Sequence, residues 1–273
     1  MQTAVVQLHI GEDVEQNISR CLELARQAIA AGAELIVLPE AIDYLGSDAG
    51  VPAIKSSIPG PVINHISDLA KDHGVWILAG SIHESIPDSP RTYNTSVLFD
   101  RSGTEVARYR KLHLYDVSIP GKVEFKESAT TAPGSEIVTA DIDGHTAGLS
   151  LCYDIRFPEL YRELASRGAE IVFLPAAFTL FTGKDHWETL IRARAIENQC
   201  FMLASGQQGV SSQGLATYGR SMIVDPWGTV LATAPDGDGF AIANLDFANL
   251  SRIRAELPSL ANRRREVFEQ VLV

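Results

Sequence analysis

The sequence predicts an α/β protein, a four-layer α-β-β-α sandwich built from two copies of one half. Three observations predict it. Apolar runs of strand length alternate along the 273 residues with amphipathic stretches of helical length. Three pairs of segments repeat in the same order: GAELIVLPEA at 32–41 with GAEIVFLPAA at 168–177, VWILAGS at 75–81 with CFMLASG at 200–206, and LFDRSGTEVA at 98–107 with IVDPWGTVLA at 223–232. The first pair is offset by 136 residues and the other two by 125, as two copies differing by an insertion would be. Hairpin signals such as Asp143-Gly144 argue against a purely parallel, doubly wound sheet. Two similar sheets then pack face to face with helices outside, and with no linker between the halves, residues 1–273 read as one domain.

The elements follow in order. Thr3–Leu8 is a strand. Residues 13–31 form a helix, with Ile18, Cys21, Leu22, Ala25, Ala28 and Ile29 on one face and Gly32 ending it. Leu35–Leu38 is uniformly apolar, a strand buried on both faces. Pro61–Asp72 is a helix with proline near its start, and Val75–Ser81, Asn94–Phe99 and Glu105–Tyr109 are strands. Residues 110–135 fit neither period and contain two Pro-Gly pairs, and such a segment inside a compact domain is usually functional. Ile137–Leu151 reads as a hairpin, Pro158–Arg167 as a helix, Ile171–Leu174 as a strand and His186–Asn198 as a helix. Phe201–Ala204, Ser221–Val224 and Thr229–Thr233 are strands, and Arg263, Arg264 and Arg265 form a solvated or partner-facing patch near the C-terminus.

Composition narrows the function. Hydrophobic residues are 45% of the chain, enough for a large core. Against 34 acidic side chains stand 23 basic ones, a net charge of −11, which argues against nucleic acid or an anionic membrane as partner. An anionic small substrate would need a local cation. The start, MQTAVVQLHIGEDVEQ, lacks the pattern of a signal peptide, and no stretch approaches the ~18–20 apolar residues of a membrane span. Cys21, Cys152 and Cys200 form no paired framework, so a cytoplasmic protein without disulfides is expected. No CxxC, HxxxH or HxH spacing supports a metal site, and no cofactor is implied.

Cys152 differs from the other two thiols. Cys21 sits on a helix face and Cys200 opens an apolar strand, the settings of inert packing cysteines. Cys152 lies where a buried strand gives way to a turn and then a helix, a junction that can expose a nucleophile and offer a backbone N–H to an oxyanion. Its activation admits two sources. A histidine, His113 or His186 with Asp116 or Asp185 as orienter, is the default partner. Lys111 with a carboxylate is the other. The two copies differ at Pro39-Glu40 against Pro175-Ala176, and a carboxylate at the end of an apolar strand is costly to bury without a partner. Glu40 otherwise caps the following loop.

LPEA at 38–41, YRKLHLYD at 109–116 and CYDIRFPEL at 152–160 resemble, in order, the three signature blocks of the nitrilase superfamily of carbon–nitrogen hydrolases. GKDHWETLIRARAIENQC at 183–200 and GRSMIVDPWGTV at 219–230 extend the resemblance along the chain, toward the branch of deaminated-glutathione amidase and omega-amidase. The resemblance implies the α-β-β-α fold, a homodimer, and a Glu–Lys–Cys triad at Glu40, Lys111 and Cys152, with Glu127 of FKES contributing. It implies that the Tyr153 backbone N–H supports the oxyanion and that Arg156 grips a substrate carboxylate, beside Phe178, Thr182 and Tyr44. Arg156 otherwise pairs with Asp154 or Glu159, which read as structural; His186 and Trp187 read as pocket supports, and Arg192, Arg194 and Glu197 as ion pairs at a packed or dimer face. The implied activity is hydrolysis of the terminal amide of a 2-oxo dicarboxylate, deaminated glutathione first and 2-oxoglutaramate second. A non-catalytic metabolite-binding or scaffold protein on the same fold is the reading of another class.

Overall fold

The computed structural model describes residues 1–268. In the first sheet, Gln2–Gln7, Leu35–Val37 and Trp76–Leu78 run parallel, and Thr92–Phe99 joins antiparallel. Thr92–Phe99 also pairs with Ile82–Ser85 and Glu105–Arg110. In the second sheet, His145–Leu149, Ile171–Ala176 and Phe201–Gly206 run parallel, and Met222–Val224 joins antiparallel, followed by Val230–Thr233. Thr139–Ile142 closes its other edge as a hairpin with His145–Leu149.

The repeated segments pair in one register. Leu35 lies opposite Trp76 in the first sheet, and their counterparts Ile171 and Phe201 are opposite each other in the second. Ile77 with Phe99 matches Met202 with Val224, and Leu98 with Ala107 matches Ile223 with Ala232. The sequence repeat is therefore a structural one.

Strand alternation distributes the apolar side chains over three layers. Leu35, Val37, Leu78 and Leu98 meet Leu149, Phe173 and Leu203 between the sheets. Ile36, Leu38 and Ile77 face outward against the helices Val14–Ala30 and Pro61–His73. On the far side, Val172, Leu174 and Met202 pack against the helices Pro158–Ser166 and Leu180–Asn198. This is the α-β-β-α order.

The structure departs from the sequence expectation at several places. The 110–135 segment is not wholly irregular: it holds a hairpin, Asp116–Ile119 with Val123–Lys126. The second long helix starts at Leu180 rather than His186. Within that added turn Gly183 lets the helix approach Tyr218, whose Cβ a methyl at 183 would meet at 2.5 Å. Gly239–Asn244 adds an edge to the first sheet beside Gln2–Gln7, and Phe247–Glu256 is a further helix capped by Asp246. In the C-terminal patch Arg264 pairs with Glu266, and Arg263 reaches Ser166 Oγ at 3.2 Å. Among the described residues no helix is long and apolar enough to cross a membrane.

Candidate active site

The repeat brings equivalent strand ends together. Glu40 follows the Leu35–Val37 strand, and its Oε2 accepts the N–H of Ala177, at 2.7 Å, from the matching end of the second copy. The main chain around it is clamped from both sheets. Ala41 N–H donates to Ser81 Oγ at 2.8 Å, and Gln207 Nε2 donates to the Glu40 carbonyl at 2.7 Å. Ala41 itself holds a left-handed φ of 49°, an uncommon geometry for alanine that this surrounding fixes.

Lys111 follows the Glu105–Arg110 strand and is almost wholly buried. Its Nζ donates to Glu40 Oε1 at 2.8 Å and to both oxygens of Glu127, at 3.1 and 2.8 Å. Glu127 Oε2 also accepts the Tyr115 N–H at 2.6 Å. Asn94, on the neighbouring strand, donates Nδ2 to Glu40 at 2.9 Å and to Glu127 at 3.2 Å. Two buried carboxylates thus share one ammonium and one amide, which satisfies a cluster that would otherwise be costly to desolvate.

Cys152 opens a single 3-10 turn, Cys152–Arg156, after the His145–Leu149 strand, with a left-handed φ of 43°. The amides of Cys152 and Tyr153 sit at the start of that turn, where no intrahelical acceptor exists. Buried Asp154 fixes the turn. Its carboxylate accepts the Leu151 N–H at 2.8 Å, the Tyr109 hydroxyl at 2.6 Å and the His113 N–H at 3.1 Å. The Cys152 turn is thereby tied to the segment that bears Lys111. Behind it, Arg194 donates Nε and Nη2 to the Ile155 carbonyl at 3.0 and 2.8 Å.

The electrostatics assign the resting protonation states. Burial pushes the Cys152 thiol well up, and the neighbouring Glu40 charge adds to this against the pull of Lys111. Burial would raise Glu40, but the Lys111 ammonium and its hydrogen bonds hold the carboxyl below the usual range. Burial opposes the Lys111 charge, yet Glu127 and Glu40 together raise it well above its ordinary value. A thiol, a carboxylate and an ammonium therefore face one another.

Glu40, Lys111, Glu127 and Cys152 all line a cavity of about 470 Å³. Tyr153, Arg156, Phe178, Thr182 and Tyr44 line it too. Arg156 pairs with neither Asp154 nor Glu159; its guanidinium lies 5.1 Å from the Phe178 ring and donates to His186 Nδ1 at 3.3 Å. Phe178 in turn rests on Trp187, their centroids 5.1 Å apart. The Tyr44 hydroxyl is engaged with the Ser47 carbonyl at 3.1 Å, so that residue offers the cavity its ring. Thr182 and Thr179 share a hydrogen bond of 2.8 Å at the helix start.

Neither histidine candidate, His113 or His186, lines the cavity. His113 Nδ1 is bonded to Asp154 at 2.7 Å and its ring is stacked on Phe157, away from the cavity wall. Asp116 is bonded to Ser128 and Asp185 to Lys184, neither orienting a histidine. Cys21 and Cys200 are buried packing thiols, and burial pushes Cys200 up to about 12. Arg194 pairs with Glu197 at 2.8 Å, as its spacing implied, whereas Arg192 pairs with Glu188. Among the described residues no group of three or more His, Cys, Asp or Glu is arranged to hold a metal ion.

Sequence reasoning missed Asn94, the Ala177 amide and the bridging role of Asp154. Only Asn94 carried a signal: asparagine is depleted in strand interiors, and the observed strand Thr92–Phe99 runs through it.

The carbon-nitrogen hydrolase family model matches residues 2–255. Over 270 residues the chain is 41% identical to deaminated glutathione amidase of Bos taurus, covering 97% of this chain and 82% of that one. It is 35% identical over 265 residues to the human omega-amidase NIT2, covering 97% and 95%. The crystal structure of the Caenorhabditis elegans NitFhit protein superposes with a TM-score of 0.92 at 36% identity, over 97% of this chain and 65% of that longer one. Fold, family model and relatives agree, and the chain belongs to the carbon-nitrogen hydrolase family of the nitrilase superfamily.

Proposed function

We propose that this protein is an amidase that cleaves the amide of a 2-oxo acid through a cysteine thioester, with deaminated glutathione as its favoured substrate. The observation that carries the reading is the Lys111 ammonium held between Glu40 and Glu127 in the cavity that Cys152 lines. Glu40 takes the thiol proton as Sγ attacks the amide carbon. The carbonyl oxygen gains negative charge, which Lys111 and the Tyr153 N–H stabilise. Glu40 returns the proton to the departing nitrogen, the carbon–nitrogen bond breaks, and a thioester remains on Cys152. Water then gives a proton to Glu40 and attacks the thioester; the carbon–sulfur bond breaks, the thiol regains its proton and the acid leaves. Glu127 holds Lys111 in place throughout. No cofactor enters these steps.

Arg156 supports the substrate class. It is a fork suited to a carboxylate, it faces the cavity, and it makes no salt bridge among the described residues. Phe178, Thr182 and Tyr44 shape the wall beside it. Deaminated glutathione is favoured by the 41% identical Bos taurus relative. A second reading, 2-oxoglutaramate, is favoured by the human omega-amidase NIT2. Free thiols suit the cytoplasm. We further read residues 1–273 as one domain and the protein as a homodimer, which size-exclusion chromatography with light scattering checks.

The test is release of amine or ammonia from both amides by wild type and Cys152→Ala. Wild type is expected to prefer deaminated glutathione, and the variant to lose at least about 10³-fold. Equal turnover by the variant overturns Cys152 as nucleophile. Turnover of neither amide by wild type favours a metabolite-binding role on the same fold.

A further inference from the structure

We infer that Lys122 is a specificity-determining residue that holds a second substrate carboxylate, on the leaving-amine side of the scissile amide. This rests on the 2-oxo acid amidase reading above.

The hairpin Asp116–Ile119 with Val123–Lys126 forms one wall of the cavity, to which Lys122, Val123, Glu124 and Phe125 contribute. Its base is fixed to the catalytic cluster. Asp116 accepts the Ser128 N–H at 2.9 Å and the Ser128 hydroxyl at 2.6 Å, while the adjacent Tyr115 N–H binds Glu127. The Phe125 ring packs near Tyr115, 5.9 Å between centroids. Lys122 is thus carried on a wall registered to Glu127.

Three side-chain cations, Lys111, Lys122 and Arg156, line the cavity. Lys111 is held by two carboxylates. Arg156 and Lys122 have no carboxylate within salt-bridge distance among the described residues; the Lys122 ammonium lies 5.8 Å from the Phe181 ring. Two further lining carboxylates, Glu124 on the same hairpin and Asp48, repel an anion. A dianionic substrate therefore has two places for its charges. Arg156 shares the 3-10 turn of Cys152 and suits the acyl-side carboxylate. Lys122 remains for the other end.

The two favoured substrates differ at that end. In deaminated glutathione the acyl group carries the 2-oxo acid and the leaving cysteinylglycine carries the second carboxylate. In 2-oxoglutaramate the leaving group is ammonia and has none. A lysine on a four-carbon stem, a mobile point charge, suits the end of a flexible dipeptide better than a rigid fork does.

The experiment compares deaminated glutathione with its C-terminal carboxamide, which has the same shape and one charge fewer. In wild type the carboxamide is expected to show a KM about fivefold higher. Lys122→Met should raise KM about fivefold for deaminated glutathione and much less for the carboxamide, with Lys122→Arg restoring most of the difference. The loss should fall on KM rather than kcat and shrink at high ionic strength. The same two compounds are titrated calorimetrically into Cys152→Ala with and without Lys122→Met. That arm reads the carboxylate preference even if wild type cleaves neither amide, an outcome that removes the activity reading alone. Equal effects of Lys122→Met on acid and carboxamide, or none on either, overturn the inference.

Discussion

Glu40, the proposed base, rests charged as the outcome of opposing effects. Burial favours the neutral carboxyl, and the Lys111 ammonium at 2.8 Å and hydrogen bonds from Cys152 and the Ala177 N–H together outweigh it. Cys152 lies on the other side of the same balance and rests as a thiol. The pH profile of kcat/KM follows from these states. The proposed mechanism requires Glu40 ionised, so the acid limb is expected below the ordinary carboxyl value of 4.5. It also requires the thiol proton and the Lys111 charge, so the alkaline limb lies above the ordinary thiol value of 9.0. Initial rates between these limbs should be flat. A limb centred near the ordinary histidine value of about 6.5 would instead return a histidine to the reaction. Glu40, Lys111, Glu127 and Cys152 are legible in sequence because each sits in a distinctive block. Asn94 and Asp154 are not, because their roles are defined by partners brought in by sheet pairing: Asn94 reaches Glu40 only after the Thr92–Phe99 strand is placed, and Asp154 reaches Tyr109 across the two halves.

At the scale of elements, strands with uniform apolar character were legible and their ends were not. Leu35–Leu38 reads directly as a buried strand, but what positions Glu40 two residues later is the turn after Trp76–Leu78. Gly80 in that turn holds φ +62°, and a Cβ there would lie 1.8 Å from the Pro39 carbonyl oxygen. Gly80→Ala therefore adds both left-handed strain and a backbone clash next to Glu40. It is expected to cost about 2 kcal/mol or more in urea denaturation and to lower kcat in the fraction that remains folded. Wild-type stability together with wild-type kcat would show that this turn does not set the Glu40 position. The Gly239–Asn244 strand and the hairpin Asp116–Lys126 escaped the sequence for a different reason. Gly239–Asn244 is an edge strand without polar–apolar alternation, and the hairpin's strands alternate but are only four residues each, so in both cases pairing with a neighbouring strand supplies the identity.

At the scale of the molecule, the proposed catalytic cluster sits where the two copies meet. Glu40 ends a strand of one sheet, its Ala177 partner follows a strand of the other, and Asp154 ties the second half to Tyr109 of the first. The distance between sheets therefore sets the distance between the proposed catalytic groups, and the layer that fixes it is the apolar cluster that includes Val37, Leu78, Phe173 and Leu203. The outer layers do not share this duty: Leu24 belongs to the cluster that packs a helix onto the outer face of the first sheet, which includes no residue of the second. Truncations in the two layers should separate stability from activity. Leu203→Ala and Leu24→Ala each remove a buried leucine and are each expected to cost about 2–5 kcal/mol. Measured well below both melting transitions, kcat should fall clearly more in Leu203→Ala, where the sheets can settle toward the void, than in Leu24→Ala, where a helix shifts over an intact site. Equal kcat in the two variants would mean that local hydrogen bonds alone, and not the packing between sheets, hold Glu40, Lys111 and Cys152 in place.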